Sequence, residues 1–445
     1  MISNVMDNGK PYLTTSEVAK TFNVRAITIY RWEKQGLIKS YRPNPKGKKF
    51  FSREEILKLV KNNSVISNEI NLLENSHSLK IGTKAKNLKI IKEKAGCLIP
   101  KTLVINTDIF NQLLIDNKIS DPLNYDWSKF QISNRYQKAI IERIDQEFDN
   151  KPLVIRSSAT CEDSPLLSFA GQYSSFLNIR GKDNIIKAIK LCYQSLFSDN
   201  AKIYAKINGV RLEYESMAIT VQELASVKTA GVLFTADPVN QDDKKMIIEY
   251  TDGLGDLIVS GHQKPILKEI KKREINNLQN EFLKKLSKIA LKLEEVFGNP
   301  QDIEWGWDGK EVYIFQSRNI TTLDKQPKII KYDTNKIKVI GTGTNACRGI
   351  SNGILKIINN TQDYDKINKG DVVFVNCKTD ISIIPRIPFI NALIINGGIL
   401  SHFAVITREF NIPCLAQPII NKKEIEEYEN KKIIVDAIKG EILTN

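Results

Sequence analysis

Of the three histidines in the 445-residue chain, at positions 77, 262 and 402, His402 has the setting best suited to chemistry. The segment ALIINGGILSHFAVITREFNIPCLAQ runs from an apolar strand through Gly397-Gly398 into a helix that carries His402 near its start. Neutral imidazole is a good nucleophile toward phosphorus, and a helix N-terminus stabilises a phosphoryl charge that arrives there. A lone histidine in this place also serves as a core or capping residue, so the surrounding run GG-x-x-SH-x-A-x-x-x-RE-x-x-x-P matters more than the residue alone. His77 lies in a polar stretch, and His262 follows a glycine-rich loop.

Groups that could handle a polyphosphate lie upstream. In IGTKAKNLKII, Lys84 sits beside a small-residue turn opening a helix, where a lysine and backbone N–H groups can meet phosphate. An ordinary surface lysine reads the same way. The apolar strand of LVIRSSATCEDSPLLSFAGQYSSFLNI delivers Arg156 to its end, where an arginine binds phosphate oxygens bidentately without losing its charge. A structural arginine with an acidic partner would explain Arg156 but not the whole run. In EYTDGLGDLIVSG, Gly253 and Gly255 let the backbone approach phosphate closely. In DIEWGWDGKEVYIFQSRNIT, Asp308-Gly309 marks a hairpin turn between two alternating strands. With period two, Asp302 and Glu304 share one face of the first strand, and Gln316 and Arg318 share one face of the second. Such a face offers oxygen ligands for Mg²⁺ and a cation for phosphates, or else a polar sheet surface with a cross-strand salt bridge.

These residues need several elements to hold them, and the length calls for two to four domains. Residues 1–62 contain 13 Lys/Arg against 5 Asp/Glu, a large part of the chain's net charge of +14 and a pattern that favours nucleic-acid contact. There, Thr14 or Thr15 can cap a helix reaching Phe22, with Val18, Ala19 and Phe22 on one face. A turn leads to a second helix from Ala26 to Gln35, which Gly36 stops. Phe50-Phe51 reads as a β-like return, and Ser52 to Glu55 as a capping box for a third helix. A polar linker or short helix follows over 63–78. Strands such as LVIRSSA, AITVQEL and KMIIEY then alternate with helices to 325, including a long basic amphipathic helix from Pro265 to Phe297. A second linker, 326–337, precedes a β-rich unit over 338–445. The scattered cysteines form no CxxC pair and read as reduced thiols, and no apolar run is long enough to span a membrane. The expectation is a cytoplasmic protein without a membrane partner.

The N-terminal order resembles the winged helix-turn-helix of the MerR and excisionase families, in the run LTTSEVAKTFNVRAITIYRWEKQGLI. The resemblance implies DNA binding through residues 11–62, with a protein-only adaptor as the alternative. Residues 79–445 resemble pyruvate phosphate dikinase, phosphoenolpyruvate synthase and rifampin phosphotransferase. The long run around Arg156 and the run around His402 carry that resemblance furthest; AITVQELASVKTAGVLFTADPV, the glycine loop and the 302–318 hairpin add to it. The implied fold is α/β and multidomain. It places a small winged helix-turn-helix at 1–62, an ATP-grasp α+β domain at 79–325 and a β/α swivelling phosphohistidine domain at 338–445.

The implied activity is a kinase-type phosphotransfer with ATP and Mg²⁺. His402 attacks the β-phosphorus, AMP is released, and a mobile domain carries the phosphoryl group to a small-molecule or protein acceptor. By resemblance Lys84, Arg156 and Arg318 neutralise the phosphates, with Arg156 and Arg318 joining His402 in catalysis. Gln222 and Glu223 lie where the adenine edge is read, Gly253 and Gly255 line the phosphate loop, and Glu304 and Gln316 are metal and nucleotide ligands. The chain departs from the family at four places: Gly82-Thr83 replaces a pair of glycines, Asp256 a glutamate, Leu400 a threonine, and Phe403 an alanine. Phe403 is expected to crowd the nucleophile or shape an unusual acceptor pocket. The chain ends where the phosphohistidine domain ends, so the acceptor is expected in trans or as a free small molecule. Two other readings stand beside the enzyme: a transcription regulator that uses the same unit to sense nucleotide or phosphorylation, and a scaffold that binds nucleotide without turnover.

Overall fold

The structure is a computed structural model that describes residues 11–21, 38–42, 47–56, 69–77, 80–162, 172–252, 266–323, 325–333, 337–376 and 381–444, with residues 26, 29, 30, 33 and 169 between them. The chain divides into two compact units, one of residues 1–89, 100–162 and 172–224, the other of 90–99, 163–171 and 225–445.

The first unit begins with β1 (Tyr12–Thr14), α1 (Thr15–Thr21), β2 (Ser40–Tyr41) and β3 (Phe50–Ser52), whose strands pair in the order β1-β3-β2. The cap is reciprocal: Thr14 N–H and hydroxyl donate to Glu17 (2.7 and 2.8 Å), and Glu17 N–H donates to the Thr14 hydroxyl (3.3 Å). Val18, Ala19, Ile29, Phe51 and Ile56 form a small core. Residues 26, 29, 30 and 33 are helical; the rest of the second helix and Phe22 lie outside the described residues.

A five-stranded sheet follows in the order β4-β5-β8-β6-β7, from β4 (Ile70–Leu72), β5 (Thr102–Ile105), β6 (Leu153–Ala159), β7 (Ser175–Ile179) and β8 (Met217–Glu223). Helices α2 (Gly82–Glu93), α3 (Thr107–Asp116), α4 (Asn134–Phe148), α5 (Lys182–Ser195) and α6 (Asp199–Ile207) connect its strands. The stretch read from sequence as a linker, 63–78, includes the edge strand β4. Ile70 and Leu73 are the reason, since both are buried in a segment whose polar neighbours masked a short apolar spacing.

In the second unit, β9 (Thr229–Phe234), β10 (Lys245–Asp252), β11 (Ile266–Lys271), β12 (Gln301–Trp307) and β13 (Val312–Asn319) form an antiparallel sheet in the order β11-β10-β9-β12-β13. The helix expected from Pro265 is shorter. Ile266 to Lys271 pair with β10, and the helix α7 (Glu281–Phe297) starts only where the Asn280 side chain accepts Leu283 N–H at 3.0 Å. A backbone ladder with β10 outweighs helix propensity in Lys-rich sequence whose side chains suit either state.

The last strands are β14 (Lys328–Ile329), β15 (Lys338–Cys347), β16 (Gly349–Ile358), β17 (Val372–Val375), β18 (Ala392–Ile395), β19 (Cys414–Ile420), β20 (Lys432–Asp436) and β21 (Glu441–Thr444). Their order is β14-β16-β17-β18-β19-β15-β21-β20, and because β20 also pairs with β16, all but β14 close into a barrel. Lys328 and Ile329, within the second expected linker, pair with Gly349 and Ile350. Helix α8 (His402–Phe410) lies between β18 and β19.

Candidate functional site

In the first unit a strand end and a helix start are clasped together. The Ser158 hydroxyl at the end of β6 accepts Ala85 N–H (3.1 Å) and donates to Ile81 carbonyl (2.8 Å), tying α2 to the strand that carries Arg156. Gly82 makes the approach close enough. It has φ of +67°, and a Cβ there would stand 1.9 Å from the Ser158 carbonyl oxygen. Two residues on, Lys84 Nζ lies 3.2 Å from a Glu162 oxygen, and the other Glu162 oxygen accepts Ala159 N–H at 2.7 Å. Glu162 is 1% exposed. Arg156 sits in mid-β6, opposite Thr220 on β8 and Ser175 on β7.

At the far end of β8 the two residues expected at an adenine edge have other partners. Buried Gln222 donates from Nε2 to Thr102 hydroxyl (3.0 Å), and Glu223 forms an exposed ion pair with Lys151 (2.8 Å). The backbone N–H of Glu223 donates to Lys101 carbonyl (3.0 Å).

In the second unit the ladder register arranges the polar residues in rows. Directly opposed residues in a sheet point to the same face. Ile247, Phe234, Asp302 and Arg318 form one row across β10, β9, β12 and β13; Glu249, Val232, Glu304 and Gln316 form the next on the same face. Arg318 Nε and Nη2 both lie 2.8 Å from one Asp302 oxygen, so the cross-strand salt bridge read as an alternative from the sequence is present. Burial pushes the Asp302 carboxyl up from its ordinary range more than the adjacent Arg318 guanidinium pulls it down. Asp308 caps the intervening turn by accepting the N–H groups of Lys310 and Glu311, each at 2.7 Å.

Among the described residues no cluster of three His, Cys, Asp or Glu side chains could hold a metal ion. The Glu304 carboxylate and Gln316 amide stand side by side in register. They are hard oxygen donors of the kind Mg²⁺ accepts together with phosphate and water oxygens, so the residues fit that ion. Gly253 and Gly255 lie outside the described residues.

His402 is the first residue of α8. The Ser401 side chain caps the helix by accepting Ala404 N–H (3.5 Å). Arg408, buried on the same helix, donates from Nη1 to the carbonyls of Ile399 and Ala346 (both 2.8 Å), and its guanidinium stands 5.6 Å from the Phe234 ring centre. It thereby fixes the turn that precedes His402. Phe403 is 6% exposed and belongs to the apolar core with Ile399, Leu400 and Phe234, so its bulk goes into packing rather than the crowding expected from sequence. Sequence reasoning passed over Arg408, although it stands in the quoted RE pair. Only the fold reveals which carbonyls it meets.

The AMP/ATP-binding domain of pyruvate phosphate dikinase matches this chain at residues 78–276 and 263–338, the mobile domain of PEP-utilising enzymes at 367–440, and a helix-turn-helix domain at 12–64. A probable phosphoenolpyruvate synthase of Archaeoglobus fulgidus is 31% identical over 65% of this chain and 43% of its own. Its counterpart in Methanothermobacter thermautotrophicus is 32% identical over 68% and 48%, and a rifampicin phosphotransferase of Bacillus cereus 29% identical over 58% and 36%. The chain thus spans less than half the length of these relatives.

Proposed function

This chain belongs to the pyruvate phosphate dikinase AMP/ATP-binding family, and from that premise we propose that it transfers the β-phosphoryl group of ATP to its own His402 and releases AMP. The observation that carries the reading is the pair of rows on the β9–β13 sheet. The face bearing Glu304, Gln316 and Arg318 also bears Phe234 and Ile247, which pack in one core with the turn before His402.

In this reading domains of 79–325 and 338–445 divide the work, and Lys84, Arg156 and Arg318 hold the phosphate oxygens. Gln222 and Glu223 mark the adenine edge, and Gly253 and Gly255 the phosphate loop. Glu304 and Gln316 would hold Mg²⁺, which when bound neutralises phosphate charge. His402, at a helix start where backbone N–H groups favour an arriving anion, forms the bond to the β-phosphorus as the bond to AMP breaks, and so receives the β,γ-pyrophosphoryl group. Water then takes the γ-phosphoryl group as orthophosphate, which leaves the β-phosphoryl group on His402. A small-molecule or protein acceptor then takes the phosphoryl group. With β-labelled ATP and Mg²⁺, the native chain should acquire label on His402; His402→Ala should bind ATP and acquire none. Equal labelling of the two would overturn the reading.

A second reading, a DNA-binding regulator that senses nucleotide or phosphorylation state through the same unit, is favoured by the β1-β3-β2 sheet beside α1 and the basic balance of residues 1–62. The full chain should then bind duplex DNA with an affinity that falls by about a thousandfold or more between about 50 and about 200 mM salt. Absence of binding to any duplex at low salt would leave the module as a protein adaptor.

A further inference from the structure

Strand β10 carries a carboxylate that the phosphate-handling groups do not account for. Glu249 is 2% exposed, and its two oxygens accept the backbone N–H groups of Ile399 (2.9 Å) and Leu400 (3.1 Å). Those amides belong to the turn that feeds α8, and Leu400 stands two residues before His402. Gly398 is cut to the same fit: a Cβ there would lie 2.5 Å from one Glu249 oxygen and 2.8 Å from the other. Burial pushes the Glu249 carboxyl up from its ordinary range, against the pull of the two N–H groups and of Arg408.

Phe234 and Ile247 of the sheet share a core cluster with Ile399, Leu400 and Phe403. Apolar packing is non-directional, so it holds these parts together without fixing where the helix start falls on the sheet. Two hydrogen bonds to one carboxylate are directional and do fix it. Their place is set by the ladder: Glu249 lies in the same row as Glu304 and Gln316, two strands away from Glu304, or about 10 Å at the usual strand spacing.

We propose that Glu249 is a positioning residue for phosphoryl transfer, locking the turn before His402 onto the sheet face that carries Glu304, Gln316 and Arg318. The proposal rests on the phosphorylation of His402 inferred above. A residue that served folding alone would change stability on substitution and leave the rate in the folded protein intact. Loss of alignment in a transfer between fixed partners instead lowers the rate constant without weakening substrate binding.

Two variants of the full chain test this. Glu249→Gln keeps the shape but presents an NH₂ group to one of the two N–H donors. Gly398→Ala keeps the carboxylate but blocks its approach. In single-turnover labelling with β-labelled ATP and Mg²⁺, both should transfer at least about tenfold more slowly at saturating ATP, with ATP affinity unchanged. Hydrogen exchange at the amides of Ile399 and Leu400 should quicken by at least about tenfold in both variants without nucleotide. A native transfer rate in folded Glu249→Gln, or unchanged exchange at these amides, overturns the proposal. Absence of label on His402 in the native chain would instead remove the phosphotransfer reading, while the exchange data would still decide whether Glu249 holds the turn.

Discussion

Each of the two units pairs a buried carboxylate with a cation, and the two pairs are built differently. Lys84 and Glu162 meet because a helix start is clasped to a strand end, and Glu162 also accepts a backbone N–H from Ala159. Asp302 and Arg318 meet because they are opposed in a ladder, and the hydrogen bonds to Asp302 come from Arg318 itself. If Lys84 turns toward a phosphate, Glu162 keeps a partner. If Arg318 is removed, Asp302 loses its hydrogen-bonding cation and the larger of the two guanidinium pulls that oppose its burial, the other being that of Arg408. Under the proposed function both cations meet phosphate, but Lys84 can do so with Glu162 still held by a backbone N–H, whereas Arg318 is also the hydrogen-bonding partner of the sheet's buried carboxylate.

The largest expected effect is therefore on the ladder pair. Arg318→Ala should destabilise the fold by about 3–5 kcal/mol, the usual cost of orphaning one member of a buried ion pair, as read by denaturant unfolding. Glu304→Gln, which leaves that pair intact, separates chemistry from folding: ATP consumption should fall by about 100-fold or more in a protein of native stability. Native turnover in that variant would break the comparison by removing the sheet face from the chemistry. Lys84→Met should cost less stability, about 1–3 kcal/mol, because the backbone bond to Glu162 survives. Its larger signature should be a raised ATP requirement in steady-state assays. A stability loss matching that of Arg318→Ala would show that the two pairs are equally structural.

The ladder pair was the more legible of the two in the sequence. Strand residues alternate with period two, and Asp308-Gly309 sets the turn, so counting places Asp302 on one face with Glu304, and Gln316 on one face with Arg318. Which of them oppose each other was decided by a register shift between Glu304 and Trp305. The clasp was less legible. Lys84 and Arg156 could be singled out, but nothing in their spacing announced that Ser158 would bridge a helix 73 residues earlier. The strand Ile266–Lys271 was misread as helix because Lys and Glu positions fit either period until a partner strand is present.

Local chemistry in the chain itself thus determined the hairpin, the Thr14–Glu17 cap and the helix start at His402, since each depends on residues only a few positions apart. The tertiary structure alone decided that Glu249 meets the amides of Ile399 and Leu400, about 150 residues away, and that Arg408 reaches the carbonyl of Ala346. The physical reason is that backbone amides and carbonyls are the same at every position. A sequence shows which side chains can seek such partners, but only the folded chain brings one particular pair within hydrogen-bonding distance.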